Sequence, residues 1–411
     1  MHKRIVILGG GFAGLYTYKH LRRLLARVPD VRITLVSEKN YLLFTPLLHE
    51  VATGGLMPEV IIEPIRTMLD LSRSDFCKAR VKRISLTTAK VETSEGELPY
   101  DYLVLALGSE TNFYNTPGAS EHAYSIKTLA DAARIKNQIL ANFEHAVYAP
   151  EQERSSLGTV VVVGGGPTGV ELAGELAEFL NRTLLPTYGA GERAEPSVIL
   201  LERGERILGY EPERVSNYAR DVLMRKGVNV RASMTVAEVS GDGVLLKSGD
   251  RIAARIVIWA AGVKPRVLKL QPPSILEADG RIPVDALLRV RGYENVFALG
   301  DLAAVTDAHG VRVPDLAQSA SKEAKVAAHN IAAAIVGTKQ RVFTWRPTGF
   351  LISLGRWAAV GNIYGIFVKG PHIWWLWRTV YLFKMLSWQK KLAVAVAWTV
   401  NLFSRRDVSE L

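Results

Sequence analysis

Two short segments carry the most specific chemistry in the chain. Gly9-Gly10-Gly11-Phe12-Ala13-Gly14 and Gly164-Gly165-Gly166-Pro167-Thr168-Gly169 share the spacing G-x-G-x-x-G. In a turn between strand and helix, the first glycine (Gly9, Gly164) allows the tight bend. The second (Gly11, Gly166) lets a pyrophosphate touch the main chain, and the third (Gly14, Gly169) lets the helix pack on the strand. An acid ends the strand that follows each turn, Glu38 in the first case and Glu202 in the second, where it can accept hydrogen bonds from an adenosine ribose. A carboxylate at Glu202 accepts from a 2′-hydroxyl and repels a 2′-phosphate, although Arg203 beside it can accommodate the phosphate. Asp301 directly follows Gly300 at the end of an apolar run, placed either to bind ligand hydroxyls or to serve as a turn residue. Glu171 lies two residues beyond Gly169, in a first helical turn where the helix dipole favours an acid.

A repeated unit of strand, turn and helix must position these groups. The short apolar run at residues 5–8 predicts a strand buried on both faces, followed by a helix over 15–26 and a second strand over 32–36. The pattern returns with strands at 159–163 and 197–201 around a helix at 170–185. One G-x-G-x-x-G match is weak evidence, whereas two matches in full context indicate a duplicated dinucleotide-binding module. Apolar runs also end in glycine at residues 102–108 (YLVLALG, to Gly108), 255–262 (RIVIWAAG, to Gly262) and 295–300 (NVFALG, to Gly300). Pro314 and Gly337 bracket a helix over 316–336 whose N-terminal dipole can stabilise negative charge near Ala317 and Gln318. The expected fold class is therefore α/β, with two Rossmann-like dinucleotide-binding domains and a C-terminal amphipathic membrane-binding region.

Composition narrows the function. A chain of 411 residues suits two or three domains at about 150 residues each. With 48% hydrophobic and 22% charged residues, it is a globular composition that excludes disordered, collagen-like and disulfide-framework classes. The single cysteine, Cys77, cannot make an internal disulfide, a Cys-x-x-Cys pair or a zinc site, so electron chemistry must run through an organic cofactor or other side chains. The net charge of +11 is concentrated at one end: residues 324–406 hold twelve bases and no acid, leaving 39 bases (51 − 12) against 40 acids elsewhere. Seven of the eight tryptophans lie in that same stretch. Tryptophan mixed with Lys and Arg suits an anionic membrane surface, where indoles sit at headgroup level. Nucleic acid is not the expected partner, because the surrounding Leu, Val and Phe would contribute nothing to phosphate binding. Trp374, Trp377, Tyr381 and Trp388 form an apolar stripe, with Lys384, Ser387 and Lys391 on one helical face. Such a helix can instead pack on its own protein or on a second subunit. The longest uncharged run in the tail, residues 392–404, is shorter than the roughly 18 to 20 residues of a spanning helix. The apolar run after Met1-His2-Lys3-Arg4 is too short for a signal peptide, so retention in a reducing compartment is expected.

In chain order, GGGFAG, LALGS, GGGPTG, AAGVKP and ALGD resemble the flavoprotein disulfide reductase superfamily with two dinucleotide-binding domains. The missing cysteine pair separates the chain from the disulfide reductases proper and from sulfide:quinone oxidoreductases. Residues 41–54 (YLLFTPLLHEVATG) and 313–324 (VPDLAQSASKEA) resemble the corresponding stretches of type II NADH:quinone oxidoreductases, the single-chain, non-pumping NADH dehydrogenases. The tail WWLWRTVYLFKML, with Arg405-Arg406 further on, resembles that family's membrane anchor. The family's A-Q-x-A-x-Q motif reads here Ala317-Gln318-Ser319-Ala320-Ser321-Lys322, so lysine replaces the second glutamine.

The resemblance implies an FAD site built from Gly9, Gly11, Gly14, Glu38, Thr45, Pro46, Gly108, Gly300, Asp301, Ala317 and Gln318. It implies an NADH site at Gly164, Gly166, Gly169, Glu202 and Gly262. Gln318 and Lys322 would serve the quinone side, and Glu171 would relay a proton or position NADH. On the residues alone, Gln318 and Lys322 read equally as solvated helix residues. The implied domains are 1–115 and 276–340 for FAD, 116–275 for NADH, and 341–411 for C-terminal strands and amphipathic helices. The expected location is peripheral, on the cytoplasmic face of the plasma membrane, with a homodimer possible. Truncation before Ile373 is expected to spare flavin binding. The competing readings are a soluble FAD-dependent NAD(P)H reductase serving a protein partner, as ferredoxin reductases and apoptosis-inducing-factor-like flavoproteins do, and a non-enzymatic redox sensor.

Overall fold

The apolar runs that end in glycine fold as parallel strands buried on both faces, as such runs must when no polar face is available to meet water. The computed structural model describes residues 3–188, 196–266 and 268–410. It divides into two units, one of residues 1–42, 64–110 and 263–346, the other of residues 43–63, 111–262 and 347–411. The helices that carry the site residues are α1 (Phe12–Leu24), α2 (Pro167–Phe179), α3 (Ala317–Val336), α4 (Pro371–Lys384) and α5 (Trp388–Val400).

The first unit is built on a five-stranded parallel sheet in the order Val296–Ala298, Tyr102–Leu105, Lys3–Leu8, Val31–Ser37, Ser74–Lys78. The order reverses beside Lys3–Leu8, so the first glycine turn opens at the switch point where such sheets take ligands. Helix α3 packs against α1 and ends at Gly337 in the left-handed region (φ 79°), as the Pro314 and Gly337 brackets require.

The second unit repeats the design with Tyr124–Ser125, Ile256–Trp259, Thr159–Val163, Ser197–Leu201 and Val228–Arg231, all parallel. The helix expected over 170–185 is α-helical only to Phe179 and continues as a π-helical turn, Leu180–Leu184. The same unit includes an antiparallel sheet, Gly349–Ser353, Ala359–Ile363 and Ile366–Lys369, followed by α4 and α5.

The tail departs from its sequence reading in two ways. Its helix breaks between Lys384 and Trp388, because the buried carboxylate of Glu63 accepts hydrogen bonds from the Leu386 and Ser387 amides at 2.8 and 2.9 Å. Lys384, Ser387 and Lys391 therefore share no continuous helix face. The proposed apolar stripe is also divided: Trp374 and Trp377 are 2% and 1% exposed and belong to the interior, whereas Trp388 is 70% exposed.

Candidate active site

In the first unit, Gly9 adopts φ +117°, and a Cβ there would collide with the Ala106 carbonyl where the sheet approaches the turn. A Cβ on Gly14 would strike the Gly9 carbonyl, so close helix packing holds the third position. Gly11 faces open space within 4 Å and caps α1 with its backbone alone. That leaves the first turn of α1 open to an anion, which is the fit a dinucleotide pyrophosphate requires. Glu38, half-buried at the end of its strand, is ion-paired with Arg80 at 3.2 Å and Arg266 at 3.4 Å. Gly108 accepts the Arg266 amide at 3.3 Å, joining this corner to the strand that ends at Gly108.

Asp301 sits in a 3-10 turn, Gly300–Leu302, and accepts a hydrogen bond from the Ser109 hydroxyl. The Gly300 amide donates to Glu323 at 2.7 Å. Glu323, 2% exposed on α3, ties that turn to the helix bearing Ala317, Gln318 and Lys322, and burial pushes its carboxyl up to about 7. Ala317 and Gln318 lie half-buried in the first turn of α3. Lys322 lies one turn further along α3. Its ammonium donates to the Arg346 carbonyl and lies 5.0 Å from the centre of the Trp345 ring. Burial lowers its pKa, and its visible partners belong to its own unit.

In the second unit, Gly164 takes φ +111° against Ala261 and Gly166 again faces open space within 4 Å, so this turn fits a second dinucleotide by the same test. Glu202 does more than the sequence suggests: its two carboxylate oxygens accept the Gly165 and Gly204 amides, each at 2.6 Å. It therefore holds the glycine turn in shape. Arg203 is drawn to the face of Tyr114, 6.0 Å away. Gly262 accepts the Asn112 amide at 3.0 Å. Thr45 and Pro46, in the 3-10 turn Thr45–Leu47, belong to this second unit and not to the unit of the first glycine turn.

Glu171 is buried, and one carboxylate oxygen accepts from the Ser353 amide at 3.1 Å and from the Trp377 indole at 3.2 Å. Burial outweighs these donors and pushes its pKa up to about 8, so it is mostly protonated at neutral pH. It is thus more than an acid favoured by a helix dipole.

Around it lies a group that sequence reading missed. Burial, then repulsion from Glu175, pushes Glu50 up to about 7, and the Trp398 indole donates to it at 2.7 Å. Burial opposes ionisation of Glu175 too, yet the ion pair with Arg406 keeps its pKa below the ordinary value. Arg406, read from sequence as part of a membrane anchor, is in fact an interior counter-charge. Burial brings His49 down to about 4 and leaves it neutral. The signal in the sequence was acids set among apolar residues, at Glu50 in LLHEVATG and Glu175 in LAGELAEF, with the acid-free basic tail as their source of cations.

The chemistry available is thus two pyrophosphate cradles, a buried neutral carboxyl and a helix N-terminus able to face negative charge. A family model for pyridine nucleotide-disulphide oxidoreductases matches residues 3–324, which sets the class. A model for the NDH2 C-terminal domain matches residues 348–407. The chain is 32% identical to a type II NADH:quinone oxidoreductase of Mycobacterium tuberculosis, over 98% of this chain and 89% of that protein. It is 33% identical to a demethylphylloquinone reductase of Synechocystis, over 96% and 95%. The NDH2 structure from Plasmodium falciparum solved with NADH shares its fold at a TM-score of 0.90 and 22% identity, covering 100% of both chains. The chain belongs to the type II NADH:quinone oxidoreductase family.

Proposed function

We propose that this chain oxidises NADH and reduces a quinone through FAD, without pumping protons. Family membership carries the reading, and the two open cradles at Gly11 and Gly166 support it. Bound FAD supplies the two-electron chemistry that links the donor to the acceptor. The chain's own residues do the rest. Gly9, Gly11, Gly14, Glu38, Gly108, Gly300 and Asp301 would hold FAD. Gly164, Gly166, Gly169, Glu202 and Gly262 would hold NADH. The N-terminus of α3 at Ala317 and Gln318 would favour negative charge beside it, with the Gln318 amide offered to a quinone carbonyl. Lys322, one turn further along α3 and donating to the Arg346 carbonyl, would act electrostatically on the developing quinol. Glu171 enters the cycle holding a proton on its carboxyl, as quinol formation needs.

The membrane surface is the proposed docking partner. The outward side chains Phe383, Trp388, Leu392 and Phe403 support this, since they leave apolar surface uncovered on α4, α5 and the residues after them. Among the described residues no helix is long and apolar enough to cross a membrane. The cytoplasmic face of the plasma membrane, where NADH is available, is the proposed location, and a homodimer is the proposed alternative use of the same face.

Donor choice tests the cofactor assignment. Comparing kcat/KM for NADH and NADPH with a short-chain quinone should show a preference for NADH. Glu202→Ala should raise KM for both, because the Gly165 and Gly204 amides lose their acceptor, and should narrow the ratio. Equal values in the wild-type protein would show that Arg203 governs the choice.

A further inference from the structure

The second unit contains a cavity of about 440 Å³ lined by none of the residues assigned above to FAD, NADH or quinone. Its wall includes Glu175 and Glu178 of α2, Trp374 and Arg378 of α4, and residues 402–406 after α5. Glu50 and Glu175 act on Arg378 as counter-charges, but the hydrogen bonds that these acids and Glu178 accept go to other groups. Glu175 is paired with Arg406, Glu178 with Lys226 and with Arg182 at 2.9 Å. Glu50 accepts from Trp398, and burial and Glu175 raise its pKa.

Two arginines are left with buried donors. Arg378 Nε and Nη1 and Arg356 Nε are buried and have no hydrogen-bond acceptor among the described residues. A guanidinium carries five N–H donors, and buried N–H groups without an acceptor are costly, so these donors call for an acceptor beyond the side chains around them. The Arg378 guanidinium carbon lies 3.8 Å from the centre of the Trp374 ring and 4.8 Å from that of Trp398, contacts that offer its N–H edge no acceptor. Arg356 donates from Nη2 to the Leu402 carbonyl at 2.7 Å.

We propose that this cavity binds the phosphate of an anionic phospholipid headgroup, with Arg378 and Arg356 as its donors. Planar guanidinium forks match phosphate oxygens in pairs. The wall also includes Phe403, 88% exposed, which continues the apolar outer surface formed by Leu392, Val396 and Val400 of α5. A headgroup in the cavity would therefore lay its acyl chains along that surface. The lipid source rests on the membrane reading given above, whereas the phosphate site rests on the arginines alone.

The test is isothermal titration of the full-length flavoprotein with dihexanoylphosphatidylglycerol below its micelle concentration. Dihexanoylphosphatidylcholine serves as the zwitterionic control and inorganic phosphate as the probe without acyl chains. One saturable site is expected for the anionic lipid, tighter than for either control and displaced by phosphate. Arg378→Lys and Arg356→Gln should each weaken it by about tenfold, the loss of one charge-assisted contact. Retained flavin spectrum and NADH oxidation with a water-soluble dye would establish that both variants are folded. These readouts also keep the result separate from the oxidoreductase assignment. Phosphate binding as tightly as the lipid, with both lost in the variants, would overturn the lipid source in favour of a soluble phosphate ligand. No saturable binding of either probe, or equal affinity in wild type and both variants, would overturn the site.

Discussion

At the scale of single residues, Glu171 has the most direct consequence for pH behaviour. Its folded pKa, near 8, lies above its ordinary value of 4.5. The stabilisation from keeping it protonated is thus fully present below pH 4.5 and is lost as pH rises through about 8. Glu171→Gln keeps an oxygen for the Ser353 amide and the Trp377 indole while removing the titration. Its Tm should fall less than that of the wild type on going from below pH 4.5 to above pH 8, with the fall due to Glu50 and Glu323 remaining. Quinone-dependent turnover should drop, and any alkaline limb near pH 8 should disappear from the pH profile. An unchanged limb in the variant would assign that ionisation to another group.

At the scale of elements, α4 and α5 act as interior and as surface at once. Trp377 and Trp398 donate to Glu171 and Glu50, and the chain after α5 returns Arg406 to Glu175. Truncation before Ile373 would strip all three acids of partners, so the expectation that it spares the protein is replaced: loss of folding is the expected result. Arg406→Ala leaves Glu175 buried without its counter-charge and should cost about 3–5 kcal/mol in urea unfolding. A cost under about 1 kcal/mol would place the pair at the surface in solution. The exposed side behaves differently. Phe383→Ser with Trp388→Ser should reduce sedimentation with acidic liposomes while leaving Tm within a few degrees, because neither side chain is in the core. High salt should release only part of the wild-type protein from such liposomes, since apolar insertion is not screened. Sequence periodicity placed the tail helices but not their division of labour. Buried and outward tryptophans alternate within WWLWR: Trp374 turns into an apolar cluster with Ala359 and Ile373, Trp377 turns to Glu171, and Trp375 stays exposed, partners that lie far off in sequence.

At the scale of the whole molecule, the glycine turns were fully legible because their function is local: the bend, the close approach and the open second position depend on a few adjacent residues. The strand runs and the bracketed α3 were legible for the same reason. Partners far apart in sequence were not. Glu323 holding Gly300, Glu202 holding Gly165, and the long reach from Glu175 to Arg406 are tertiary facts that no spacing announces. The grouping of residues 43–63 and 347–411 with the second module accompanies other distant contacts, those of Glu50 with Trp398, Glu63 with Leu386 and Ser387, Glu171 with Trp377 and Glu175 with Arg406.

The central claim is that one flavoprotein joins NADH to quinone, with Gln318 acting on the acceptor side. Anaerobic stopped-flow of the purified full-length protein tests it most directly, following the flavin spectrum first with NADH and then with a short-chain quinone. The spectrum should bleach on NADH and recover on quinone. In Gln318→Ala the bleaching should keep its rate while recovery slows by about tenfold or more, the loss expected for one positioned hydrogen-bond donor. A protein whose flavin is bleached by NADH but not restored by quinone, or whose two half-reactions slow equally in the variant, would contradict the account.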